Sequence, residues 1–322
     1  MRSKILKLSL NALRLCLPLV GLAYVFWDVD SDALLVNLRL FEPFMVMMMV
    51  LATLLSLLPM ILRLNFLSGN TLGFSKAAQA TLVGQGVNNL LPAKLGEAAK
   101  VFYIRSASRI RKSHGLELVF WERFSDLNIL LALAVYVLWY TGRQLFLYPL
   151  FGVVAATWAV LVVFRCVPAL SLRLINLIRW QRVRQSLLLF HAAIVNRFRP
   201  RFFLVLALYG VFFWALAASV TGLAFHAVQI PLSPPQWLAV FVVSSLGMAL
   251  PGAPGGLGVY EAAVVAPSLW FGVDKETAVA LAIVLRAVQY IPVTLLGLIA
   301  LHFSGMTVAN FKQEDDAAPE SS

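Results

Sequence analysis

Six ionisable side chains sit in or beside apolar stretches of this chain: Glu97, Glu122, Arg123, Asp126, Glu261 and Arg286. Inside a bilayer each costs at least about 2.5 to 3.5 kcal/mol on insertion scales, so each calls for a partner or a role. The two arginines are suited to attract a phosphate through charge-assisted hydrogen bonds. Glu97, Asp126 and Glu261 would pair those arginines in the empty state, or carry a proton during turnover. Glu122 and Asp126 lie four apart and share a helix face, while Arg123 and Asp126 lie three apart and can pair. The plainer reading of any one of them is a salt bridge that pins helices together. Paired carboxylates would also suit a membrane-embedded lipid-phosphate transferase, but the chain has no Asp-rich pair on a polar loop and no nucleotide fingerprint. His114, His191, His226 and His302 are scattered without ligand spacing, so neither a metal nor a cofactor is expected.

The same stretches are broken twice by a related motif, Pro92-Ala93-Lys94-Leu95-Gly96 and Pro254-Gly255-Gly256-Leu257-Gly258. Asn88 and Asn89 stand just before the first break, placed either to meet a polar headgroup or to cap the broken arm. Lys94 and Lys100 are placed to snorkel to the cytoplasmic surface or to bind an anion. Gly255, Gly256 and Gly258 allow tight turning, and backbone N–H groups left free there could hold a phosphate.

The elements that must position these groups are membrane helices. Hydrophobic residues make up 61% of the 322, charged residues 13%, and the mean hydropathy is +0.84, which leaves too little polar surface for a soluble globule. Crossing the hydrocarbon needs roughly 20 apolar helical residues. Stretches near 8–27, 43–66, 116–140, 146–164, 202–226 and 278–302 meet that need, the first as an uncleaved anchor. The arms beside the motifs, 236–250 and 95–106, reach only about 22 Å and 18 Å. They suggest re-entrant hairpins, with eight full spans as the alternative, and a backbone break at that depth must face protein or a polar cavity.

The net charge of +11 gathers on one side of these spans, in the amino-terminal residues, around 105–112, from Arg165 to Arg201, and at Lys312. That asymmetry is the positive-inside pattern, with both termini cytoplasmic, and it accounts for the basic excess without nucleic acid. The chain then divides into a leading helix and outer loop (1–40), a first repeat (41–140), a link (141–202), a second repeat (203–302) and a polar, disordered tail (303–322). The repeats enter the membrane from opposite sides and are therefore inverted, the arrangement that places a shared site near the midplane. In the link, Arg173, Arg179, Arg182 and Arg184 alternate with Leu, Ile and Trp180 as an amphipathic helix on an anionic inner leaflet, or as a solvated basic loop.

Three segments carry a resemblance: Asn88 to Glu97, then Glu122-Arg123-Phe124-Ser125-Asp126, then Pro254 to Glu261. Together they resemble the lysylphosphatidylglycerol synthase transmembrane, or flippase-like, family. That family shows an asparagine with Pro-x-x-x-Gly, a Glu-Arg-x-x-Asp helix, and Pro-Gly-Gly-x-Gly followed by a glutamate. The resemblance implies movement of a lipid between leaflets. Some 20 residues follow the last span, so a stand-alone member without the aminoacyl transferase domain is expected. The expectation is an all-helical lipid transporter of the cell membrane, acting on an anionic phospholipid or a polyprenyl-phosphate glycolipid. Its expected partners are membrane lipids, with an envelope-lipid biosynthetic enzyme or a second copy of the chain as further possibilities. A non-transporting partner of an envelope glycosyltransferase, or of another lipid-modifying enzyme, is the competing reading.

Overall fold

A computed structural model describes residues 18–91, 95–108, 112–142, 147–248 and 254–304. All regular elements among these residues are helical. Residues 18–26 are the described part of α1. Helix α2 (Ser31–Arg39) follows, its first turn capped by the Asp30 carboxylate, which accepts from the N–H groups of Asp32 and Ala33 at 2.8 and 3.3 Å.

From there one order of elements occurs twice. The first set is a long helix α3 (Pro43–Leu67), a shorter pair α4 (Gly73–Leu90) and α5 (Gly96–Ser108), and a long helix α6 (Lys112–Tyr140). After the connecting helices α7 (Leu147–Cys166), α8 (Pro168–Asn176) and α9 (Gln181–Arg197), the second set runs α10 (Pro200–Ala227), α11 (Pro234–Gly247), α12 (Val259–Trp270) and α13 (Lys275–Ser304). Proline opens α3, α10 and α11, where its missing N–H costs nothing and its fixed φ suits a first turn.

Packing repeats with the order. In each set the two short helices lie against each other and the second lies against the closing long helix. Between the sets, α3 runs along α10, α4 along α13, and α11 along α6. The α4–α13 crossing is closest at Gly86 and Gly297, where a Cβ on Gly86 would stand 2.7 Å from the Gly297 Cα. Without a solvent-driven hydrophobic force in lipid, such small-residue crossings gain their stability from van der Waals contact.

The apolar side chains left outside by this packing form lipid-facing stripes. Leu204, Leu208, Val211 and Phe212 on α10, and Ile291, Leu295, Leu298 and Ile299 on α13, are exposed at i, i+4, i+7 and i+8. Four helices among the described residues, α3, α7, α10 and α13, are long and apolar enough to cross a bilayer. Helix α6, with 29 residues, rises about 43 Å, which is also sufficient length. The expected first span, 8–27, lies partly outside the described residues. The 14 residues of α11 and 12 of α12 reach only about 21 and 18 Å, short of the hydrocarbon thickness.

The basic link is helical. It is two helices, α8 and α9, because the chain turns at 177–180 and folds back so that Ser171 Oγ meets His191 Nε2 at 2.7 Å. On α8 Leu170 and Leu174 are exposed together with Arg173 and Asn176, and Leu177 and Trp180 are exposed beyond them. Helix α9 is anchored to the bundle by Arg197, which pairs with the buried Glu117 of α6 at 2.6 Å and donates to the Leu67 carbonyl at 2.5 Å.

Candidate functional site

Apart from the Glu117–Arg197 pair, the charges at membrane depth fall into two clusters, one in each set of helices. In the first, Arg63 of α3 grips Asp126 of α6 through both guanidinium nitrogens, at 2.7 and 3.4 Å. The indole N–H of Trp214 on α10 donates to the same carboxylate at 3.3 Å. Asp126 also faces Arg123 at 3.5 Å, Arg123 faces Glu97 at 3.4 Å, Glu97 faces Lys100 at 3.9 Å, and Lys100 holds Glu122 at 2.9 Å. The result is an alternating row of three cations and three anions linking α3, α5 and α6. Burial explains the pairing of Arg63, Asp126, Lys100 and Glu122, since a lone charge taken out of water costs several kcal/mol and only a hydrogen-bonded opposite charge offsets it, while Arg123, 47% exposed, forms the open side of the row.

The second cluster is built on the second break. Pro254–Gly256 form a single 3-10 turn, and Gly255, Gly256 and Gly258 have φ of 59°, 69° and 80°, the left-handed region open to glycine. This turn delivers the chain into α12 with Glu261 in its first turn, where the carboxylate reaches back to accept from the Gly258 N–H at 2.6 Å. Arg286 of α13 closes the arrangement. Its Nε and Nη2 donate to Glu261, and its Nη1 donates to the Gly255 carbonyl at 2.8 Å. The guanidinium lies over the rings of Tyr260 and Tyr290, 5.1 and 5.6 Å from their centroids, within range of cation–π attraction.

The first break joins this cluster through α4. Leu91 is extended, as the residue before a proline prefers, and Asn88 Oδ1 accepts from the Gly96 N–H at 2.8 Å. Asn88 therefore acts as a cap. Asn89 reaches the other way: its side-chain amide donates to Thr294 Oγ1 at 2.9 Å, and its backbone carbonyl accepts from the Tyr290 hydroxyl. Pro92 and Lys94 lie outside the described residues, and of Pro254 only the backbone turn is described.

Between α3, α4, α10 and α13 lies a cavity of ≈180 Å³. Its polar wall is Thr53, Ser56, Gln85, Asn89, Gln289 and Tyr290, with Arg286 at one side and Phe213 and Met248 among its apolar boundary. The two arginines singled out from sequence are thus in different places. Arg286 lines the cavity, and Arg123 belongs to the alternating row, outside the cavity's lining. Lys100 does not snorkel. It is buried at 2% exposure because Glu122 and Glu97 draw it inward.

Arg63 was not among the residues expected at the site, although an arginine within a 25-residue apolar helix is itself a signal that a partner waits elsewhere. Gln85 and Gln289 carried no such signal, since an uncharged amide costs less in an apolar stretch and their convergence depends on the α4–α13 crossing.

A bundle of lipid-faced helices, twice interrupted, with compensated charges and a cavity inside, is the architecture of a multi-pass membrane protein. The chain belongs to the family described as Lysylphosphatidylglycerol synthase TM region, whose model matches residues 9–297. That description ties the family to a membrane region of a lipid-modifying system. The sequence has no match among curated proteins.

Proposed function

We propose that the protein moves an anionic lipid between the leaflets of the cell membrane. The observation that carries this reading is the position of Arg286. A guanidinium able to engage a phosphate forms part of the wall of a polar cavity, enclosed by helices whose outer faces are apolar, and it is held there by a carboxylate on a broken helix. A lipid phosphate arriving at Arg286 competes with Glu261, and that competition links headgroup binding to the geometry of the second break. The matching order and packing of the two sets support two inverted halves with both chain termini cytoplasmic, and the short arms at the breaks support hairpins that enter without crossing. Such halves would expose the cavity to each leaflet in turn.

The test is a leaflet-exchange assay in proteoliposomes with a fluorescent anionic phospholipid. Glu261→Gln and Arg286→Ala are expected to abolish exchange while the protein still inserts and elutes as a folded species. Exchange at wild-type rate in both variants would sink the proposal.

A further inference from the structure

A second opening shares Arg286 and Tyr290 with the cavity and has almost none of its polar lining. It is a largely apolar groove of ≈320 Å³ bounded by Leu22 and Phe26 of α1, by Leu257, and by Ile283, Ala287 and Ile291 of α13, with Tyr290 and the Arg286–Glu261 pair at its inner edge. Helix α13 is the partition between the two spaces. Around its circumference Gln289 and Val293 come first, facing the cavity; Arg286 and Tyr290 follow, bordering both spaces; Ile283, Ala287 and Ile291 come last, facing the groove. Apolar and polar compartments therefore meet at one guanidinium.

Resting on the transport reading above, we infer that these two spaces are a single amphiphile site for a lipid whose headgroup is a hydroxyl-rich, uncharged ring or polyol joined through one phosphate to its hydrocarbon. The tail lies in the groove between α1 and α13, the phosphate sits at Arg286, and the hydroxyls enter the cavity.

Three observations select that headgroup. The polar groups of the cavity wall are hydroxyls and carboxamides, set among apolar side chains such as Leu57, Phe213 and Val220, and among the described residues Arg286 is the one charged residue lining it. Such groups donate to and accept from hydroxyls and offer no carboxylate facing a headgroup ammonium. One of them is unsatisfied: the Thr53 hydroxyl is buried without a partner among the described residues, and the part-buried Gln85 amide N–H faces the weakly accepting thioether of Met60 at 3.9 Å. A buried polar atom left unsatisfied calls for an explanation, and a ligand hydroxyl in the cavity would supply the bond at Thr53. The volume also fits, since ≈180 Å³ holds roughly a dozen water-sized groups, the scale of one ring with its hydroxyls. The site gives α1 a function as one wall of the tail groove. It reaches the second break directly, and a Cβ on Gly21 would clash with the Gly258 backbone.

The experiment measures binding of two probes of equal acyl composition to the purified full-length protein: phosphatidylinositol, and phosphatidylethanol, which carries the same single phosphodiester charge without hydroxyls. Native mass spectrometry with competition titration reads their relative affinity, and melting temperature checks the fold of each variant. The wild type is expected to prefer phosphatidylinositol by about tenfold, the value of one or two added hydrogen bonds. Gln85→Leu and Gln289→Leu should each bring that preference toward unity, and Ala287→Trp, or Ile291→Trp at the more exposed rim, should weaken both lipids together. Equal affinity for the two probes in the wild type, or a preference that survives both glutamine variants, overturns the headgroup assignment. Unchanged binding of both lipids in both tryptophan variants overturns the tail groove. Leaflet exchange in the same preparations separates this inference from the transport reading: selective binding without exchange defeats transport alone, and exchange without selectivity defeats the headgroup assignment alone.

Discussion

At the level of single residues, Arg63 and Asp126 set the terms for the first cluster. Their two-point contact is buried, and removing one member leaves the other charge uncompensated, which costs about 3 to 5 kcal/mol where measured in buried pairs. Arg63→Leu is therefore expected to lower the melting temperature of the detergent-purified protein sharply. The double variant Arg63→Leu with Asp126→Leu should recover part of the loss, because no unpaired charge from that pair remains. A double variant no more stable than the single one would show that the pair does not act as a unit. The pair also marks a boundary of what could be read from the chain alone. Arg123 and Asp126 lie three apart on one helix, so their proximity follows from helical spacing. Arg63 with Asp126 and Lys100 with Glu122 are joined only by the packing of three helices, and no spacing rule reaches across that. Lys100 shows the error that results. Taken alone it has the length to reach a membrane surface, and only the position of Glu122 fixes its direction.

Among the elements, the broken pairs were visible as Pro and Gly interruptions, and their short arms followed from counting residues. What counting could not supply was the close crossing of α4 with α13. Gly86 lies in a helix with no strong apolar face, and nothing around it in sequence names Gly297 as its neighbour. The crossing aligns Gln85 and Asn89 with Gln289 and Tyr290, so the cavity depends on it. Gly86→Val and Gly297→Val should each reduce stability and open the Asn89 contacts, because the obstructing atoms are backbone and cannot rotate away. Thermal melting of each variant checks this, and a melting temperature within a degree of wild type would show that the helices separate there at little cost.

For the whole molecule, the correspondence between the sets extends to their turns. Asn70 after α3 and Gln229 after α10 both adopt left-handed φ, 62° and 57°, at the ends of the long helices that pack on each other. Inverted halves place these two turns on opposite faces of the membrane. With Cys16 and Cys166 replaced by serine, a cysteine at the exposed Thr71 should react with a membrane-impermeant maleimide only from the cytoplasmic side, and one at the exposed Pro231 only from the other. Labelling of both from the same side would exclude the inverted arrangement.

The alternation of charge in the first cluster bears on membrane voltage. Three cations and three anions closed into one row present no net charge to a transmembrane field, and Arg286 with Glu261 adds none. A rocking motion that keeps these pairs together moves no gating charge. The work done by an imposed potential then falls on the cargo alone, about 2.3 kcal/mol per 100 mV for one full charge carried across. The voltage dependence of leaflet exchange would therefore report the charge of the transported headgroup itself.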